Sequence, residues 1–149
     1  MTAAFPLPMA AERLIPHRAP MRLVDRLISF ADGDGTTEAT LPGKSVVAGE
    51  DGAIDPVALV ELIAQSYAAV KGYDDLVRGK PVSEGFLVGI RKLRVTGKAF
   101  ADDRLLTTVK TVGTFEGFAV VEGTVTRGDE PLASGTLKLW ITEKEASRP

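Results

Sequence analysis

The chain contains no cysteine and a single histidine, His17, among 149 residues. The first absence excludes disulfides and thiolate catalysis and fits a reducing compartment. The second excludes a multi-histidine metal centre within one chain. Long apolar runs are missing too: no stretch approaches the roughly 20 apolar residues that a membrane span requires. No charged N-terminal region precedes an apolar core of the kind a signal peptide carries. A cytoplasmic location without a membrane span is therefore the expectation. Neither sign of charge dominates. With 18 basic and 20 acidic side chains the formal net charge is −2, which gives no overall bias toward nucleic acid or an anionic membrane. The glycine-containing segments lack the lysine and threonine spacing of a phosphate loop. No metal or other cofactor is expected.

What remains is the composition of one globular domain, 44% hydrophobic and 26% charged, spanning residues 1–149 without repeats or an internal linker. One long helical run stands out, Asp55 to Gly72. Asp55 suits the N-cap, Pro56 the first helical position and Gly72 the stop. The run is apolar almost all round, which belongs inside a domain. Glu61 and Gln65 interrupt it at i, i+4 spacing, so they share one face. A carboxylate removed from water is costly unless paired, hydrogen-bonded or protonated, and such a carboxyl suits a general acid. A single wet stripe on the helix explains the same pattern, and both readings stand.

The rest of the chain reads as β structure. Met1 to Ala10 is an irregular lead-in, Ala11 to Leu14 a short helical turn, and Pro16-His17-Arg18-Ala19-Pro20 a rigid segment between two prolines. Met21 to Phe30 and Thr36 to Leu41 pair across a glycine turn. A glycine-containing loop, Pro42 to Ile54, leads into the helix, and a polar loop, Tyr73 to Ser83, follows it. Four strands in a meander come next, beginning at Glu84, Arg104, Ala119 and after the turn Gly128-Asp129-Glu130-Pro131. The phase of Phe86, Val88 and Ile90 shifts before Leu93 and Val95, which predicts a bulge near Arg91-Lys92. Residues 143–149 read as a frayed tail. A helix hydrophobic all round needs cover on several sides, and a curved antiparallel sheet supplies it.

Local motifs agree with that arrangement. Ile15-Pro16-His17-Arg18-Ala19-Pro20, with Val24-Asp25-Arg26 behind it, resembles the opening of the β-hydroxyacyl-acyl-carrier-protein dehydratases. Glu61-Leu62-Ile63-Ala64-Gln65 resembles the Glu-x-x-Ala-Gln stretch on that family's central helix. Gly85-Phe86-Leu87-Val88-Gly89-Ile90, followed by Ala101-Asp102-Asp103-Arg104-Leu105, is similar to its third strand and the turn after it. The resemblance covers roughly residues 12 to 142, and within the family the dehydratase-like proteins of aryl-polyene-type pathways are nearest. It implies an α+β hot-dog fold, one central helix wrapped by a curved antiparallel sheet. It also implies a dimer, of identical or related subunits, acting on 3-hydroxyacyl thioesters carried on acyl carrier protein.

The resemblance assigns Glu61 the protonation of the departing C3 hydroxyl. In the family a loop histidine acts at C2 as base from the opposite subunit, and no histidine precedes the helix here. Gapless counting puts Val47 at that position, and alignment on Pro42-Gly43-Lys44 puts Thr40 there. Neither is a base. The family's thioester-binding glycine amide falls at Pro56, which has no N–H, leaving the amides of Val57 and Ala58 as candidates. His17 is either structural, tying down the first strand, or the recruited base. Gln65 is a candidate at the substrate. Phe86, Val88 and Gly89 are candidates along the acyl chain, with core packing the simpler account for the apolar pair, as it is for Tyr67. Arg91, Lys92, Arg94 and Lys98 form a basic cluster suited to an acidic carrier protein or to a solvated strand face. A dehydratase, a subunit without its own base and a thioesterase using Glu61 toward water all remain open.

Overall fold

The computed structural model describes residues 5–142. In chain order it has β1 (Met9–Ala10), a 3-10 turn (Ala11–Arg13), β2 (Arg26–Ala31), β3 (Asp34–Thr40), α1 (Pro56–Val77), β4 (Glu84–Val95), β5 (Arg104–Phe115), β6 (Phe118–Arg127) and β7 (Glu130–Thr142). The strands make one sheet in the order β1-β2-β3-β5-β6-β7-β4. Every pairing is antiparallel. The sheet curves around α1, which is the hot-dog arrangement that the resemblance implied.

Local chemistry explains where α1 begins. The Asp55 carboxylate accepts the Val57 N–H at 2.9 Å, and Pro56 occupies the first turn. The end differs from expectation. Gly72 lies within the helix, because a Cβ there would sit 2.0 Å from the carbonyl oxygen of Leu14. The glycine is needed for close approach rather than as a stop, and α1 runs on to Val77. Asp75, almost fully buried, then anchors the chain reversal. Its carboxylate accepts from Lys71 Nζ at 2.7 Å and from the amide and hydroxyl of Ser83 at 2.9 and 2.8 Å.

Two further expectations are corrected. The strands after α1 do not form a simple meander: β4 crosses to the far edge beside β7, while β5 joins β3. Only β5, β6 and β7 follow one another, linked by hairpins at Glu116-Gly117 and Gly128-Asp129. Both residues of the first hairpin have positive φ, 51° and 84°, which suits the right-handed strand twist. The early strand begins at Arg26 rather than Met21, because the segment before it is held by a side chain of α1 instead of a neighbouring strand. Part of the lead-in is ordered, since Met9–Ala10 pairs with Leu27 and Arg26. The expected tail, residues 143–149, lies outside the described residues, as do residues 1–4.

Leu59, Leu62, Ile63 and Val70 of α1 are buried with Leu27, Leu105, Val109, Val121, Val125 and Leu137 of the sheet. Gly123 sets how closely they approach: a Cβ on it would stand 2.3 Å from Ile63 Cγ2. The two sheet edges differ. β1 is two residues long, whereas β4 offers twelve residues with an unpaired outer side among the described residues. Phe86, Leu87, Val88, Ile90, Leu93 and Val95 are each at least 40% exposed there. The predicted bulge is present, as a register shift between Arg91 and Arg94 with Lys92 at φ 53°. No helix among the described residues is long and apolar enough to cross a membrane.

Candidate active site

The helix stripe Val57, Glu61, Ala64, Ala68 and Lys71 recurs at spacings of four and three, so these residues share one face of α1. Glu61 is half-buried on it, and Gln65 one turn later is 1% exposed. Gln65 is fully engaged. Its oxygen accepts from the amides of Leu23 and Val24 at 2.8 and 3.3 Å. Its nitrogen donates to the Met21 carbonyl at 2.9 Å and to Glu61 Oε2 at 2.7 Å. Those partners fix the amide orientation and consume both of its N–H donors. Gln65 therefore clamps the segment 21–24 onto α1 and orients the Glu61 carboxyl. The second oxygen of Glu61, Oε1, has no hydrogen-bond partner among the described residues.

Glu61 stands between two spaces. On one side is a cavity of about 80 Å³ lined by His17, Ala64, Gln65, Tyr67, Ala68 and Lys71, with Gly85 and Leu87 of β4 and Leu139 and Ile141 of β7. On the other is a groove of about 340 Å³ lined by Met21, Leu23, Val46, Val47, Val57 and Ala58. His17 and Glu61 thus face a common cavity within one subunit. The His17 Nδ1 is buried and has no hydrogen-bond partner, an exception to the rule that buried polar atoms are paired. Val47 lines the groove at Glu61, so a valine occupies the place at the carboxyl that gapless alignment gives to a histidine.

The other expected residues divide. Val57 and Ala58 border the groove through their side chains. Their amides are already used, that of Val57 by the Asp55 carboxylate and that of Ala58 by the Asp55 carbonyl, each at 2.9 Å. Phe86 and Val88 are 52% exposed on the open strand and do not border the Glu61 cavity. Val88 and Gly89 line a separate cavity of about 570 Å³ with Arg91 and Lys92. On β4 it is Gly85 and Leu87, the opposite parity, that reach the Glu61 cavity. Nothing in the alternation alone distinguishes the two parities; the pairing of Leu87 with Leu139 of β7 does. Among the described residues no cluster of histidine, cysteine and carboxylate side chains is arranged to hold a metal.

Charges near the site are organised but lie outside it. Hydrogen bonds from Arg26 and Arg104 hold the Glu38 carboxyl below the usual carboxylate range. This triad joins β2, β3 and β5. Arg91, Lys92, Arg94 and Lys98 are all exposed.

Comparison with known proteins gives two kinds of likeness. Residues 9–148 match the family model described as ApeP-like, ApeP dehydratase. Curated proteins give no match. The dehydratase heterocomplex ApeI:P from Xenorhabdus doucetiae superimposes with a TM-score of 0.84 at 23% identity, covering 91% of this chain and 93% of that one. A protein of Streptococcus mutans UA159 bound to acetyl CoA gives 0.64 at 18% identity, over 84% and 93%. A hypothetical thioesterase with coenzyme A from Streptococcus pneumoniae TIGR4 gives 0.62 at 15%, over 80% and 90%. At these identities the structures establish a shared fold.

Proposed function

The chain belongs to the ApeP-like dehydratase family, and on that premise we propose that it serves the dehydration of 3-hydroxyacyl thioesters on acyl carrier protein, with Glu61 as general acid. One observation carries the reading: Glu61 and His17 line the same cavity, the carboxyl oriented by Gln65 with one oxygen unengaged, the imidazole with a buried, unpartnered Nδ1. A base removes a proton from C2, the C2–C3 double bond forms, and the C3 hydroxyl departs as water with the proton given by Glu61. The acid must enter the reaction protonated. His17 is the imidazole within this subunit that supplies the base. Apolar walls of Ala64, Ala68, Leu139 and Ile141 take the acyl chain.

The subunit works as a dimer through β4. Its long open edge and exposed apolar residues are what a second sheet needs to add on, and an unprotected edge of that length is otherwise a liability. The exposed cations on β4 and just beyond it, Arg91, Lys92, Arg94 and Lys98, suit the approach of an acidic carrier protein.

A second reading has its own support. Val47 lies where the family carries its loop histidine, and the dehydratase ApeI:P is a heterocomplex. In this reading a related hot-dog subunit brings a loop histidine to Glu61 across the β4 edge, and His17 is structural. Replacing His17 with alanine separates the two. If His17 is the base, His17→Ala abolishes formation of 2-enoyl from 3-hydroxyacyl thioester whether or not a partner subunit is present. Full residual activity in the variant would eliminate His17 as base and leave the partner's imidazole in that role. Release of free acid in place of enoyl product would instead favour a thioesterase.

A further inference from the structure

Three spaces follow one another along the same face of α1. The groove of about 340 Å³ ends at Glu61. The cavity of about 80 Å³ runs from Glu61 and His17 to Tyr67 and Lys71. A third, of about 460 Å³, starts at Tyr67, Lys71 and Ile141 and lies against the β5–β6 hairpin, residues 114–119. Tyr67 therefore stands where the second space meets the third. Some 9 Å of helix rise separates its position from that of Glu61.

Its side chain is 5% exposed, yet its hydroxyl makes no hydrogen bond among the described residues. The other tyrosine behaves differently: Tyr73 donates to the Phe5 carbonyl at 2.6 Å. Buried tyrosine hydroxyls ordinarily find a partner, because an unpaired donor in a dry site is costly. Burial, reinforced by the nearby carboxylates of Asp75 and Asp74, pushes the Tyr67 hydroxyl up to about 12. At neutral pH it is a proton-bearing donor and takes no part in proton transfer. The nearby walls contributed by Ala64, Ala68, Leu139 and Ile141 offer no acceptor side chain.

We propose that Tyr67 is a specificity-determining residue: the acyl chain held at Glu61 extends along α1 and bears a hydroxyl or carbonyl oxygen that accepts the Tyr67 hydrogen bond. The inference rests on the acyl-thioester reading above and adds to it the class of acyl group, oxygenated toward its far end rather than plain hydrocarbon. A site built to satisfy a polar group discriminates against a ligand that leaves the group unpaired.

The test is binding, which does not depend on turnover. Matched pairs of 2-enoyl pantetheine thioesters, hydroxyl-ended and methyl-ended over a graded series of lengths, are titrated calorimetrically into the protein and into Tyr67→Phe. At the best-fitting length the wild type should prefer the hydroxyl-ended ligand about five- to tenfold. Tyr67→Phe, which keeps the ring and its packing, should lose that preference. Equal affinities in the wild type, or a preference that survives in Tyr67→Phe, would overturn the inference while leaving the acyl-thioester site standing. Failure of either ligand to bind at any length would overturn both.

Discussion

Replacing Gln65 with leucine probes how the site is held together. The substitution keeps the volume roughly constant and removes every hydrogen bond of the amide. The amides of Leu23 and Val24 lose their acceptor, and both residues are almost fully buried, 4% and 0% exposed, so water does not readily replace it. A buried unsatisfied donor costs about 1–3 kcal/mol, and the longer Val24 contact belongs at the lower end. The Met21 carbonyl also loses its donor. Against this, the leucine gains about 1 kcal/mol from burial of apolar surface. The net expectation is a loss of about 2–3 kcal/mol of folding stability. For a chain of this length that lowers Tm by about 5–10 °C. Paired urea and thermal unfolding measure it. Activity should fall as well, because Glu61 loses the donor that orients its carboxyl. A Gln65→Leu protein within about 0.5 kcal/mol of wild type would refute the clamp and the placement of residues 21–24 that depends on it.

Other consequences are open to similar measurement. Gly123→Val should destabilise the fold by about 1–3 kcal/mol in denaturant unfolding, since even a Cβ would press on Ile63. Arg104→Met should cost about 0.5–1 kcal/mol at neutral pH, the range for a partly exposed pair. Because the Arg26 and Arg104 hydrogen bonds lower the Glu38 carboxyl in the folded state, their stabilisation is complete above its unfolded value. It fades as pH falls through the folded one, so the wild-type and Arg104→Met stabilities should converge in acid. Reversing the charges of Arg91 and Arg94 should weaken binding of an acidic carrier protein and its salt dependence; an unchanged dissociation constant would count against docking there.

How much was legible beforehand depended on whether the deciding partner lay nearby in sequence. Asp55-Pro56 announced the start of α1 through a contact two residues away. Glu61 and Gln65 met as an i, i+4 pair, and the bulge at Lys92 followed from a change of phase within one strand. Gly72 was ambiguous, because a stop and a close approach look alike until Leu14 is placed against it. The extended segment at Met21 resembled a strand, yet its hydrogen bonds go to Gln65. The position of β4 beside β7, and with it the inward parity of Gly85 and Leu87, depends on a pairing between distant strands. Tyr67 reads as packing in any apolar helix; its missing hydrogen bond became visible only beside the cavities it separates.

The most direct measurement is the conversion of a 3-hydroxyacyl thioester to the 2-enoyl thioester by the protein and its Glu61→Gln variant, with any required partner subunit present. The substitution preserves the size of the side chain and removes the acid. The account predicts a drop in kcat of about a hundredfold or more, the usual contribution of a positioned general acid, with the fold retained. Enoyl formation by Glu61→Gln at the wild-type rate would contradict it.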